Sequence, residues 1–92
     1  MKRIEIYLSE AIDDDFSALL IKYNILKFSK LNPTMGQGNT TPMLNNDVWP
    51  GRNTTFIIYT DNEKPITKAI AELREKFPKE GIAAYLTLCT EI

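Results

Sequence analysis

The sequence has no histidine and a single cysteine, Cys89. Those two scarcities exclude a His/Cys zinc site within one chain and any internal disulfide. They also leave no imidazole to activate a nucleophile, so Cys89 reads as a small core or interface residue. Neither sign of charge dominates. Eleven Lys and Arg stand against twelve Asp and Glu, a net charge of -1. The basic excess of a general nucleic-acid binder is absent. Long apolar runs are absent too. Ile4-Glu5-Ile6-Tyr7-Leu8 is too short and too interrupted for a signal peptide or a membrane span. No membrane insertion is expected, and the scarcity of cysteine fits a cytoplasmic protein. Without an export signal, the glycosylation patterns Asn39-Thr40-Thr41 and Asn53-Thr54-Thr55 are read as chance. Glycine is scarce as well: there are four, and three of them (Gly36, Gly38 and Gly51) fall within one stretch.

What is present is 92 residues of ordinary globular composition, 43% hydrophobic and 25% charged, enough for one domain over residues 1–92 with one core. Lys2 to Leu8 alternates, with Ile4, Ile6 and Leu8 on one side and Arg3, Glu5 and Tyr7 on the other, which predicts a strand. Ser9 suits a helix N-cap, and Asp13, Asp14 and Asp15 suit the early helix dipole. Ile12, Phe16, Leu19, Leu20 and Tyr23 form one helical stripe, and Asn24 ends it. Ile25 to Met35 is a second extended segment. Thr54 to Thr60, rich in β-branched and aromatic residues, is a third. Asp61 and Asn62 are candidate caps for a second helix, whose stripe is Ile66, Ile70, Leu73 and Phe77. Lys68 with Glu72, and Glu72 with Lys76, are spaced for exposed helix pairs. Pro78 ends that helix, and Ile82 to Glu91 is the last strand.

The order β-α-β-β-α-β predicts an α+β, ferredoxin-like fold: a four-stranded antiparallel sheet with two helices on one face. Ile4, Ile6, Leu8, Phe56, Ile58, Ile82, Ala84, Leu86 and Leu88 should meet the helix stripes. Each large side chain so buried contributes about 2 kcal/mol before chain entropy is counted. The other face should carry Tyr7, Ile57, Tyr59, Ala83, Tyr85 and Cys89. So apolar an open face predicts a homo-oligomer that covers it.

Between the second and third strands, residues 36–52 break all periodicity with glycine, proline and asparagine. A loop that long in so small a domain is usually functional or disordered. Gly36-Gln37-Gly38-Asn39 offers backbone donors to an anion, or else a turn that needs permissive glycines; without a following helix it is no dinucleotide fingerprint. Met43, Leu44 and Trp49 are candidate contacts for a partner protein, or residues that pin the loop. Arg52, Lys79 and the backbone around Gly81 are the remaining candidates for holding phosphate. The three aspartates point in different directions on a helix, which disfavours a cation site.

In order along the chain, these segments resemble the PII (GlnB-like) signal-transduction proteins. Lys2-Arg3-Ile4-Glu5-Ile6 is similar to their first strand, and Ile12-Asp13-Asp14-Asp15-Phe16 to the start of their first helix. Gly36-Gln37-Gly38 is similar to the Gly-x-Gly that opens their long T-loop. Phe56-Ile57-Ile58-Tyr59 with Asp61-Asn62-Glu63 resembles the strand and acidic turn that follow it, and Glu80-Gly81-Ile82 stands near their Gly-Asp-Gly-Lys turn. The resemblance implies a homotrimer, a small-molecule effector in the clefts between subunits, and a T-loop acting on a target protein. The effector it implies is an adenine nucleotide or another small anion. The sequence departs in a shorter loop, in Ile82 and Ala83 where the family has lysine, and in lacking the family's distal arginines before Ile92.

Trp49-Pro50-Gly51 also resembles the CutA-like divalent-cation proteins, an alternative trimer on the same scaffold. A third alternative is an RRM-like RNA-binding module, from the partial match of Arg52 to Tyr59 with its aromatic motif. An enzyme is not expected. The acylphosphatases of this topology need a basic loop after the first strand, where this sequence has Ser9-Glu10-Ala11, and no nucleophile–base pair is visible.

Overall fold

The structure, a computed structural model, describes residues 1–92. In chain order it contains β1 (Lys2–Ser9), a single 3-10 turn (Glu10–Ile12), α1 (Asp13–Lys22), β2 (Ser29–Thr34), β3 (Asn53–Thr60), α2 (Lys64–Lys76) and β4 (Ala83–Leu88). The strands form one sheet in the order β2-β3-β1-β4, every neighbouring pair antiparallel. This is the expected ferredoxin-like arrangement, with the helices on one face.

Register follows from the alternation in β1. Ile4 lies between Ile58 and Leu86, and Ile6 between Phe56 and Ala84. A one-residue slip would turn this set out to solvent. Ile6, Leu8 and Phe56 of the sheet and Phe16 and Leu73 of the helices are fully buried between the two layers. Phe16 and Phe56 meet edge to face at 5.0 Å, a geometry aromatic pairs prefer.

The ends of elements depart from the sequence reading for local reasons. Ser9 caps the 3-10 turn, its Oγ accepting from the Ala11 N–H at 3.2 Å, and the α-helix begins only at Asp13. Asn24 sits at φ 57, and the backbone leaves α1 there. The chain from Ile25 to Phe28 does not join the ladder, so β2 is shorter than expected, and its pairing with β3 shifts register between Leu31 and Thr34.

Two core assignments are corrected. Ile82 and Ala84 pack partly against the core, but Leu86 and Leu88 are 47% and 80% exposed. They lie on β4, one of the two edge strands, and an open groove of about 220 Å³ lies among Ile70 and Arg74 of α2, Ala84 and Leu86 of β4, and Ile4. The expected pairs within α2 are corrected as well. The Glu72 carboxylate turns to α1, where it accepts from Lys22 Nζ at 2.7 Å and from the Tyr23 hydroxyl at 2.9 Å.

Candidate functional site

The segment between β2 and β3 is closed twice by its own backbone. Gly36 and Met43 exchange both hydrogen bonds, at 2.8 and 2.9 Å, which pinches off residues 37–42. Further along, the Asn45 N–H donates to the Gly51 carbonyl at 3.0 Å. Inside that second closure the Asn46 side chain accepts from the Val48 and Trp49 amides at 3.1 and 2.7 Å. This Asx turn is what Asn46 in a turn sequence is suited to form. Val48 and Trp49 ride on it at the tip, Trp49 40% exposed.

The first closure builds the floor and wall of a cleft of about 400 Å³. Thr34 to Thr41 and Met43 supply one side, and Glu80 to Ile82, just before β4, with Ala83, its first residue, supply the other. Tyr7, Tyr85, Ser9 and Asn53 complete it from the sheet. Tyr7 stands opposite Ala83 in the β1–β4 ladder, which is how the open sheet face runs into the cleft. The two sides touch. A Cβ on Gly81 would collide with the Oγ1 of Thr40, so Gly81 is there because the loop passes over it. Arg74 holds the turn from behind, its Nη2 donating to the Ile82 carbonyl at 2.9 Å.

Of the residues nominated from sequence, Gly36, Gln37, Gly38, Asn39 and Gly81 line this cleft, and so does Met43. Arg52, Lys79, Leu44 and Trp49 do not. Arg52 is paired with Glu10 at 2.6 Å, outside the lining. The Gly36 amide, nominated as an anion donor, is already spent on Met43. Neither Gly36 nor Gly38 has positive φ, and a Cβ at either position would meet nothing within 4 Å. Turn geometry does not demand glycine there. Ser9, Thr34, Thr40, Thr41, Asn53 and Glu80 were not foreseen as lining residues. The polar run Asn39-Thr40-Thr41 was the available signal.

Electrostatically the cleft is bare of cations. No lysine or arginine lines it, and Glu80 contributes a carboxylate. Phosphate groups need convergent donors or cations, and this chain brings no cation to the lining that could hold a polyphosphate. The Tyr7 phenol is raised above its ordinary value because its hydroxyl donates to the Glu5 carboxylate at 2.8 Å. It stays neutral at physiological pH. No group of three or more His, Cys, Asp or Glu side chains gathers anywhere to hold a metal ion. Phe56, which RNA stacking would require on the open face, is buried against Phe16.

The chain is thus a four-stranded ferredoxin-like sheet whose long, self-bonded β2–β3 loop is folded over the turn before β4. No family model and no curated protein matches the sequence. Solved structures do match the fold. CPII from Thiomonas intermedia K12, bound to ADP and bicarbonate, superposes with a TM-score of 0.73 at 14% identity, over 94% of this chain and 82% of that one. A PII-like signaling protein from Thermus thermophilus superposes at 0.66 and 17% identity, over 94% and 83%. CPII bound to ADP, AMP and acetate gives 0.62 at 17% identity, over 98% and 88%. At such identities the likeness is one of fold.

Proposed function

We propose that this chain is a divergent PII-like regulatory protein without catalytic activity, working in the cytoplasm as a homotrimer. A small effector enters the cleft at the base of its T-loop, and the loop reports occupancy to a target protein. One observation carries the reading: the start of the loop and the turn before β4 share a single cleft and meet at Thr40 and Gly81. A ligand there must alter the footing of the loop. Trp49 and Val48, exposed at the loop tip, and the half-buried Leu44 form the surface offered to the target. Met43 is turned inward instead, its sulfur packed against Gly51.

The homotrimer reading rests on the open sheet face, where Tyr59 and Tyr85 are 53% and 62% exposed in the single chain. The effector reading draws on CPII, which binds ADP, and an adenine-containing molecule is the first class to examine. The test is a thermal-shift series with adenine compounds, bicarbonate, 2-oxoglutarate and divalent metals. A binder of the folded state raises the midpoint by mass action. An adenine compound is expected to do so. Stabilisation by metal ions alone would move the protein to the cation-tolerance alternative.

A further inference from the structure

The cleft at the loop base has the size of a small-molecule site but the wrong charge for a nucleotide. Its polar lining is carboxamide and hydroxyl: Gln37, Asn39, Thr40, Thr41 and Asn53. Groups of this kind donate and accept equally, as base edges and ribose hydroxyls require. The backbone agrees. Residues 37–41 make no hydrogen bond to other backbone groups, although Gly36 and Met43 close the segment tightly beneath them. Their amides and carbonyls are therefore not spent on other backbone groups, and all five residues line the cleft. The one carboxylate in the lining, Glu80, belongs to the turn before β4, and its field opposes an anion. The two cations nominated from sequence lie elsewhere, Arg52 held by Glu10 and Lys79 outside the lining.

We propose that this cleft takes an uncharged, hydroxyl-bearing ligand of nucleoside size and rejects its phosphorylated forms. The proposal rests on the regulator reading and refines it. The ligand is a base with its sugar, gripped by amides and hydroxyls, and Glu80 acts as the element that turns phosphate away. Specificity then comes partly from repulsion of the competitor, as discrimination between close analogues often does.

The test is calorimetric titration of the full-length protein, in its native assembly, with adenosine and with ADP. Adenosine is expected to bind at least about tenfold more tightly, with the gap narrowing as salt screens Glu80. Glu80→Lys is expected to shift the ADP-to-adenosine affinity ratio about tenfold or more toward ADP, because it replaces a repelling charge with an attracting one. ADP binding as tightly as adenosine, or more tightly, would overturn the proposal while leaving the regulator reading intact. A Glu80→Lys protein whose ratio does not move would overturn the role of Glu80 and with it the mechanism. Binding of neither compound at millimolar concentration would remove this proposal, and the bicarbonate and 2-oxoglutarate arms of the thermal-shift series would still decide the regulator reading separately.

Discussion

In the run Asp13-Asp14-Asp15 only the first carboxylate is out of water. Asp13 Oδ2 accepts from the buried Thr54 hydroxyl at 2.7 Å and lies 3.3 Å from Lys30 Nζ. It thereby ties α1 to β3 and to the edge strand β2. Asp14 is exposed and acts only through the helix dipole. Asp13→Ala should therefore cost about 1–3 kcal/mol, the penalty for stranding a buried partner, and Asp14→Ala only about 0.3–1 kcal/mol; urea unfolding of the two variants checks the difference. Glu72 makes a pH-dependent contribution. Its bond from Lys22, and then that from Tyr23, hold its carboxyl below the ordinary carboxylate value. A lowered folded value means stability present above the ordinary value and lost as pH falls through the lowered one. Glu72→Gln should lower the urea midpoint at about pH 7 and cease to differ from the parent at about pH 2. A difference that grew on acidification would have the wrong sign.

At the scale of elements, the fold was legible where burial alone decides. The alternation in β1 and the stripes of α1 and α2 name their partners, and the register follows from Ile4, Ile6 and Leu8. The legibility ended where a competing partner or an edge decides. Leu86 and Leu88 alternate like core residues, but nothing in an alternating pattern says that a strand will lie beyond the reach of a helix. Glu72 is spaced for Lys68 and Lys76, yet a tertiary lysine and tyrosine take it. The cleft was half legible: the glycine-rich start of the loop and Gly81 were nominated, whereas Glu80 and the threonines needed the chain to fold back. The pairing of Arg52 was not foreseen because its partner Glu10 is 42 residues away. The loop also yields a prediction about itself. Since Cβ atoms at Gly36 and Gly38 have open space, Gly36→Ala with Gly38→Ala should leave circular dichroism and melting nearly unchanged, within about 1 kcal/mol, while narrowing the cleft and weakening any ligand-induced thermal shift. Gly81→Ala should do the opposite. It displaces Thr40, and proteolysis within residues 37–42 should rise, an effect relieved by adding Thr40→Ala. An unchanged digestion pattern would mean that the loop does not rest on this turn.

At the scale of the molecule, the sheet has a helical side and a bare side. The bare side is less oily than composition suggested. Arg3, Glu5 and Tyr7 run down its centre, Arg3 paired to Glu5 and Glu5 accepting from Tyr7. Arg3 Nε is buried without a hydrogen-bond partner, and buried donors are rarely left so. Around this row stand Ile57, Tyr59 and Tyr85, large side chains that a single chain leaves partly in water. Polar groups aligned inside an apolar frame are what an interface between copies uses to fix its geometry. Tyr59 is the position from which to test this, because it stands opposite Arg3 in the β1–β3 ladder and does not line the cleft. Tyr59→Asp places a carboxylate beside a guanidinium, which a solvated sheet face tolerates. Between packed subunits the same carboxylate must be desolvated, at a cost that assembly does not survive unless it is fully paired. Sedimentation equilibrium at micromolar concentration should give a mass near three subunits for the parent and near one for Tyr59→Asp, with the far-UV dichroism of the sheet retained. Lys68→Asp, on the exposed face of α2, should keep the assembly. A parent protein that sediments as one subunit would leave the bare face to solvent, and the cleft would then have to function with only the residues this chain brings to it.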